Sequence, residues 1–174
     1  MRLLTVSGSL RAKSSNASVL DALPLLAPAG VAIIRYAHLD GLPHFNPDNE
    51  MAALPEPVAA LRREIGAADG LIVSSPEYAH GIAGSFKNML DWLVGSLDFP
   101  GKPVAVINAA PRAHHADAQL VEILHTMSAR IEEDWLLTLP VQGSGLDAQG
   151  IAAKPELADP LRDLLRRFTA EIGS

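Results

Sequence analysis

Residues 3–23 read LLTVSGSLRAKSSNASVLDAL. An apolar run at 3–7 stops at Gly8, and a helical-looking run resumes at Val19. Between them lie several serines, Asn16 and two basic side chains, Arg11 and Lys13. A strand-to-helix connection needs one cap and perhaps one glycine. The surplus of hydrogen-bonding groups needs another explanation. Further strand-like runs follow at 31–36, 71–75, 104–109 and 135–139. Most are almost continuously apolar, as strands buried on both faces should be.

Helical spacing fills the intervals. Residues 16–26 and 85–94 read as helices, and Val58, Leu61 and Ile65 fall at i, i+3 and i+7 before Gly66. Leu120, Val121, Leu124, Met127 and Ile131 form another apolar face, with Asp117 as its cap. Leu161, Leu164, Leu165 and Phe168 form a third, with Pro160 at its start. Strict alternation of strand and helix predicts a parallel sheet with helices on both faces. Five strands predict a flavodoxin-like three-layer α/β sandwich of order 2-1-3-4-5, a single domain over 1–174. The Pro-rich stretch 42–57 reads as a long loop, either functional or an interface element.

The totals bound the function. With 174 residues, 48% hydrophobic and 20% charged, the chain can bury a single good core. A net charge of −6 lacks the basic stripe of a nucleic-acid binder, so no nucleic-acid partner is expected. There is no cysteine, which excludes disulfides, thiolate catalysis and thiolate metal sites. No apolar run reaches the roughly 20 residues of a membrane span. The apolar start is cut by Gly8, Ser9 and Arg11, unlike a signal peptide, so a cytoplasmic protein with no membrane partner is expected. Of the six histidines, His114 and His115 are adjacent and point apart, and His38, His44, His80 and His125 show no ligand spacing. No metal site is expected.

Ligands of open parallel sheets bind beyond the carboxyl ends of the strands, where strand order reverses. Loops 8–16, 74–84 and 108–115 converge there. In the first, Gly8 permits a tight exit from the strand, and Ser9, Ser14, Ser15 and Asn16 offer hydrogen bonds at a helix N-terminus. Arg11 and Lys13 add positive charge, and together these groups suit a terminal phosphate. The alternative is that Ser14, Ser15 or Asn16 is only an N-cap and the basic groups are solvated. The G-x-x-x-x-G-K-[ST] spacing of nucleotide kinases is missing. Gly143-Ser144-Gly145-Leu146-Asp147-Ala148 matches G-x-G-x-x-A, but no strand with an acidic tip follows, so it reads as a flexible turn. In the second loop, Pro76, Gly81 and Gly84 shape a turn that a flat ligand can approach, and Tyr78 can cover an aromatic ring. Equally, Tyr78 could cap the core and Glu77 be solvated.

Gly8-Ser9-Leu10-Arg11 with Ser14 and Asn16 resembles the G-S-L-R-x-x-S-x-N loop of the NAD(P)H-dependent FMN reductases, a family that includes quinone, azo-dye and chromate reductases. Pro76-Glu77-Tyr78, then Gly84, Lys87-Asn88 and Asp91-Trp92, resembles that family's P-E-Y-N-x-x-x-P-G-x-x-K-N-x-x-D-W segment. The resemblance implies that Ser9, Arg11, Ser14 and Asn16, with Ser15 beside them, hold the FMN phosphate. It implies that Pro76, Glu77, Tyr78 and the adjoining Ala79 border the isoalloxazine, while Lys87, Asn88, Asp91 and Trp92 pack and fix the loop. Three positions depart from the pattern. Ala79 stands for the family's Asn and Ala83 for its Pro, and 108–115 replaces a glycine-rich turn. There Arg112 is either a nucleotide-phosphate contact or a surface cation.

The activity implied is an oxidoreductase in which NADPH or NADH passes hydride to FMN, and a quinone-like or other small acceptor then takes the electrons. No side chain need act as acid or base, so no catalytic residue is named. A homodimer or homotetramer is implied, with Phe45 and Met51 of the 42–57 stretch at an interface or pocket wall. The competing readings are a non-catalytic FMN-binding electron carrier and a degenerate member that binds another phosphorylated ligand.

Overall fold

Leu3, Leu4 and Val6 are all fully buried because their strand is covered on both faces. Leu4 and Val6 join one core with Leu71, Val73, Val104 and Val106, and Leu3 joins another with Ile72, Ala105 and Ile107. The period-two alternation of a strand sends successive side chains to opposite cores. The structure is a computed structural model and describes residues 1–173. In chain order the elements begin with β1 (Arg2–Ser7), α1 (Ser15–Leu26), β2 (Ala32–Arg35), α2 (Pro47–Ala52), α3 (Glu56–Gly66) and β3 (Gly70–Ser74). A small hairpin of β4 (Glu77–Tyr78) and β5 (Gly81–Ile82) leads to α4 (Gly84–Leu93), β6 (Val104–Asn108) and α5 (His114–Thr126). The chain closes with β7 (Leu136–Thr138), α6 (Ala148–Ala152) and α7 (Pro155–Ile172).

The main sheet is parallel throughout, in the order β2-β1-β3-β6-β7. With the hairpin strands set aside this is the expected 2-1-3-4-5 order, and the fold is flavodoxin-like. Val58, Leu61 and Ile65 of α3 and Phe86, Met89 and Leu90 of α4 fill the first core. Val19, Leu20 and Leu23 of α1 and Leu161, Leu164 and Phe168 of α7 fill the second.

Several local expectations change. The edge strands β2 and β7 are shorter than their apolar runs and largely uncovered, with Ile34 and Leu136 exposed. Edge strands keep one neighbour and lose half their cover. The third helix starts at Pro155, not Pro160, which lies inside α7. Pro155 takes the first-turn position that Pro160 seemed to occupy. Asp117 does not cap the second helix, because α5 has already begun at His114.

The 42–57 stretch is not one loop. It contains α2, capped by the Asn46 side chain on Asp48 N, and the first residues of α3. It is pinned to α4, where Asn88 donates to Pro43 O at 2.9 Å and accepts from Phe45 N at 2.8 Å. Trp92 Nε1 also donates to Pro43 O, at 2.7 Å, and its ring meets Phe45 edge-on. Lys87 and Asp91 instead form an exposed pair one turn apart. Asn88→Ala removes two of the three hydrogen bonds that join Pro43 and Phe45 to α4. It is expected to cost roughly 1–3 kcal/mol in urea unfolding, and an unchanged midpoint would count against the anchor.

Candidate functional site

β1, β3 and β6 end side by side at Ser7, Ser74 and Asn108, all buried. The first loop is built on them. Gly8 N donates to Ser74 O at 2.8 Å, and Ser74 Oγ donates to Asn16 Oδ1 at 2.8 Å. A Cβ at Gly8 would lie 2.8 Å from Ser75 Oγ and 3.1 Å from the Phe86 side chain. Close approach, rather than an unusual backbone conformation, therefore selects glycine there. Ser9 Oγ accepts from Arg11 N at 3.4 Å, folding the loop back on itself. Ser14 is the N-cap of α1, its Oγ accepting from Ala17 N at 3.4 Å. The Ser15 and Asn16 amides, in the first turn, have no acceptor within the helix. Among the described residues neither Arg11 nor Lys13 has a carboxylate partner.

The second loop is a hairpin, with Glu77 paired to Ile82 and Tyr78 to Gly81. Its two-residue turn is Ala79-His80, with φ of 51° and 61°. Left-handed turns of this kind favour Asn and Gly, so replacing Asn by Ala at 79 costs backbone energy. The hairpin is tied to α5 at two points. Ala116 N donates to Glu77 Oε2 at 2.9 Å, and Ile82 N donates to Gln119 Oε1 at 2.9 Å. Glu77 thus caps α5 from outside, the role expected of Asp117. His80 Nδ1 lies 3.4 Å from Glu77 Oε1, the His80 ring meets His115 edge-on at 4.5 Å, and the His114 and His115 rings lie 4.2 Å apart, so the adjacent pair does not point apart as expected. The Ala116 amide is the main cause holding the Glu77 carboxyl below the usual range, with His115 and His80 adding to it against burial.

The third loop is shaped by Asn108, whose Oδ1 accepts from Ala110 N at 2.9 Å and whose Nδ2 donates to Ala113 O at 3.4 Å. Below it, burial raises the Asp117 carboxyl above its ordinary value, opposed by the Asn108 side chain. A fourth loop follows β7, held by Gln142 N on Ala109 O at 2.9 Å.

These loops enclose a cavity of about 490 Å³. Ser9, Arg11, Ser14, Ser15, Asn16, Pro76, Glu77 and Tyr78 all line it. Ala79 does not: the turn carries it past the rim. Tyr78 is 51% exposed and forms a wall rather than a cap on the core. Glu77 is neither solvated nor turned to the cavity with its full carboxylate, since α5 engages it. Ala109, Ala110 and Ala113 complete the lining from the third loop. Gln142, Gly143 and Gly145 complete it from the fourth, so the turn expected at 143–148 is part of the cavity wall. It is a turn, with Gly143 and Gly145 at φ of 80° and 70°, but one at the carboxyl edge of the sheet. Its place after the last strand was the available signal. Among the described residues no group of three His, Cys, Asp or Glu side chains is arranged to hold a metal, and no helix is long and apolar enough to cross a membrane.

The sequence pattern of a family described as NADPH-dependent FMN reductase matches residues 1–136. An NAD(P)H-dependent FMN reductase of Pseudomonas aeruginosa is 37% identical over 112 residues, which cover 63% of this chain and 60% of that protein. A quinone reductase of Pseudomonas putida is 34% identical over 180 residues, covering 97% of this chain and 91% of that one. The solved structure of FerB from Paracoccus denitrificans, a flavoenzyme NAD(P)H:(acceptor) oxidoreductase, superposes with a TM-score of 0.84 at 28% identity, covering 99% and 97% of the two chains.

Two outcomes test this geometry. Ala79→Asn should relieve the left-handed strain and stabilise the protein by about 1 kcal/mol in chemical unfolding. For Glu77 the native carboxyl is depressed, so its contribution is complete above the ordinary value of 4.5 and is lost as pH falls through the lower native one. The stability gap between wild type and Glu77→Gln should therefore narrow below pH 4.5. A gap independent of pH would remove the charged cap.

Proposed function

Because the chain belongs to the NADPH-dependent FMN reductase family, we propose that it binds FMN in the 490 Å³ cavity and works as an NAD(P)H-dependent reductase of quinone-like or other small acceptors. One observation carries this reading: eight residues from two separated motifs line one cavity, whose first loop offers helix N-terminal amides and two cations that have no carboxylate partner among the described residues. The donor set fits a phosphate monoester, since Arg11 and Lys13 supply charge while the Ser15 and Asn16 amides and the hydroxyls supply directed bonds. The volume lies within the range of cofactor sites.

When bound, FMN supplies the hydride chemistry between a reduced nicotinamide and the acceptor. The chain positions and shields. Arg11, Lys13 and the start of α1 anchor the phosphate. Asn16 holds that loop to β3 through Ser74. Pro76 and Tyr78 wall the ring, and Glu77, which also lines the cavity, holds their hairpin to α5. Ala109, Ala110 and Ala113 offer small side chains that leave room for a flat ring. No side chain is required as an acid or base.

The same reading takes the protein as a single domain over 1–174, acting in the cytoplasm, where reduced nicotinamide is available. It also takes it as a homodimer or homotetramer. Glu50 packs against Gly95, and around that contact Met51, Val94 and Leu97 are exposed, a set of apolar groups suited to a second copy.

The purified protein should be yellow, or become so with added FMN, and should oxidise NADH or NADPH steadily when a quinone is present. Colourless protein that takes up no FMN would overturn the reading, and flavin binding without turnover would make it an electron carrier. Arg11→Ala should weaken FMN binding roughly tenfold to a hundredfold, read by flavin fluorescence.

A further inference from the structure

A second cavity of about 470 Å³ adjoins the first, sharing Lys13, Ser14, Ser15 and Gly145 with it. It lies between the outer face of the first turns of α1 and the segment leading into α6. The seam is kept low by Gly145, where a Cβ would meet nothing within 4 Å. Lys13 stands on the seam with no carboxylate partner among the described residues. Beyond it lie the hydroxyl of Ser18, the apolar Leu146, and the carboxylates of Asp21 and Asp147.

A pyridine dinucleotide has two halves, and only its nicotinamide needs to reach the wall formed by Pro76 and Tyr78. The first cavity is sized for one flavin-like ligand, so the other half needs separate surface. The second cavity supplies the kinds of group the molecule requires: a cation at the crossing, hydroxyl and carboxylate acceptors, and an apolar side chain. Carboxylates bind free ribose hydroxyls in dinucleotide sites, and cations accommodate a 2′-phosphate. Both carboxylates are already oriented, Asp21 by Arg35 at 2.7 Å and Asp147 by Gly150 N at 2.8 Å. Each retains lone pairs for a further donor. A 2′-phosphate would face two carboxylates with Lys13 as the one cation lining the cavity, since the Arg35 guanidinium is already engaged by both oxygens of Asp21.

We propose that this second cavity holds the adenosine half of the reduced pyridine dinucleotide, and that its carboxylates favour NADH over NADPH. The proposal rests on the FMN reductase reading above. Ser18 lines the second cavity and not the first, so Ser18→Trp should obstruct one without touching the other. Its kcat/KM for NADH should fall about tenfold or more. With N-benzyl dihydronicotinamide, a donor that lacks the adenosine half, kcat/KM should stay within about twofold, as should the dissociation constant for FMN. Calorimetry on the FMN-loaded wild type supplies a readout independent of turnover. AMP should bind, more tightly than adenosine 2′,5′-bisphosphate, and Ser18→Trp should weaken it about tenfold. Equal loss with both donors, no AMP binding to the wild type, or tighter binding of the bisphosphate would each overturn the proposal while leaving the FMN reading intact. A wild type that oxidises neither donor would overturn both.

Discussion

Ser74 is completely buried at the end of β3, and its carbonyl and hydroxyl are both engaged. Its carbonyl takes the Gly8 amide and its hydroxyl gives to Asn16, each at 2.8 Å. A buried polar group left unmatched costs on the order of 1–3 kcal/mol, so these bonds fix the first loop to the middle of the sheet. Everything at the anchoring end of the cavity follows from that clamp. It sets where α1 begins, which amides of its first turn are free, and where Arg11 and Lys13 emerge. The glycine at 8 is part of the same constraint, because Ser75 and Phe86 leave no space for a side chain.

The other wall is held differently. The hairpin of β4 and β5 has few bonds of its own and a turn of two left-handed residues, neither of them glycine. Its position comes from α5, through Glu77 and Gln119. One side of the cavity is thus set by buried bonds to the sheet, and the other by a carboxylate shared with a helix end. This division suits the proposed site, in which one wall would grip a cofactor tail and the other would admit two partners in turn.

How far the amino-acid pattern reveals this depends on the range of the interaction. The central strands were legible because burial on both faces leaves continuous apolar runs such as those of β1, β3 and β6. The first loop was legible because it concentrates too many polar groups for a cap alone. The edge strands misled, since Ile34 and Leu136 are apolar yet uncovered. Glu77 takes the capping role expected of Asp117 for a related reason. The cap of α5 comes from 39 residues earlier in the chain, and only tertiary structure brings it there. Ala79, where the resembled pattern has Asn, sits in a left-handed turn, a constraint that its side chain does not announce. The 143–148 turn was judged by motif context alone, although its place after the last strand already put it at the cavity.

The bond from Ala116 to Glu77 also has a consequence for dynamics. A ligand that packs on Tyr78 restrains the hairpin, and the hairpin carries the acceptor for the first turn of α5. Local opening of that turn is therefore thermodynamically coupled to occupancy of the cavity. Amide protons near Ala116, which need touch no ligand, become reporters of whether the site is filled.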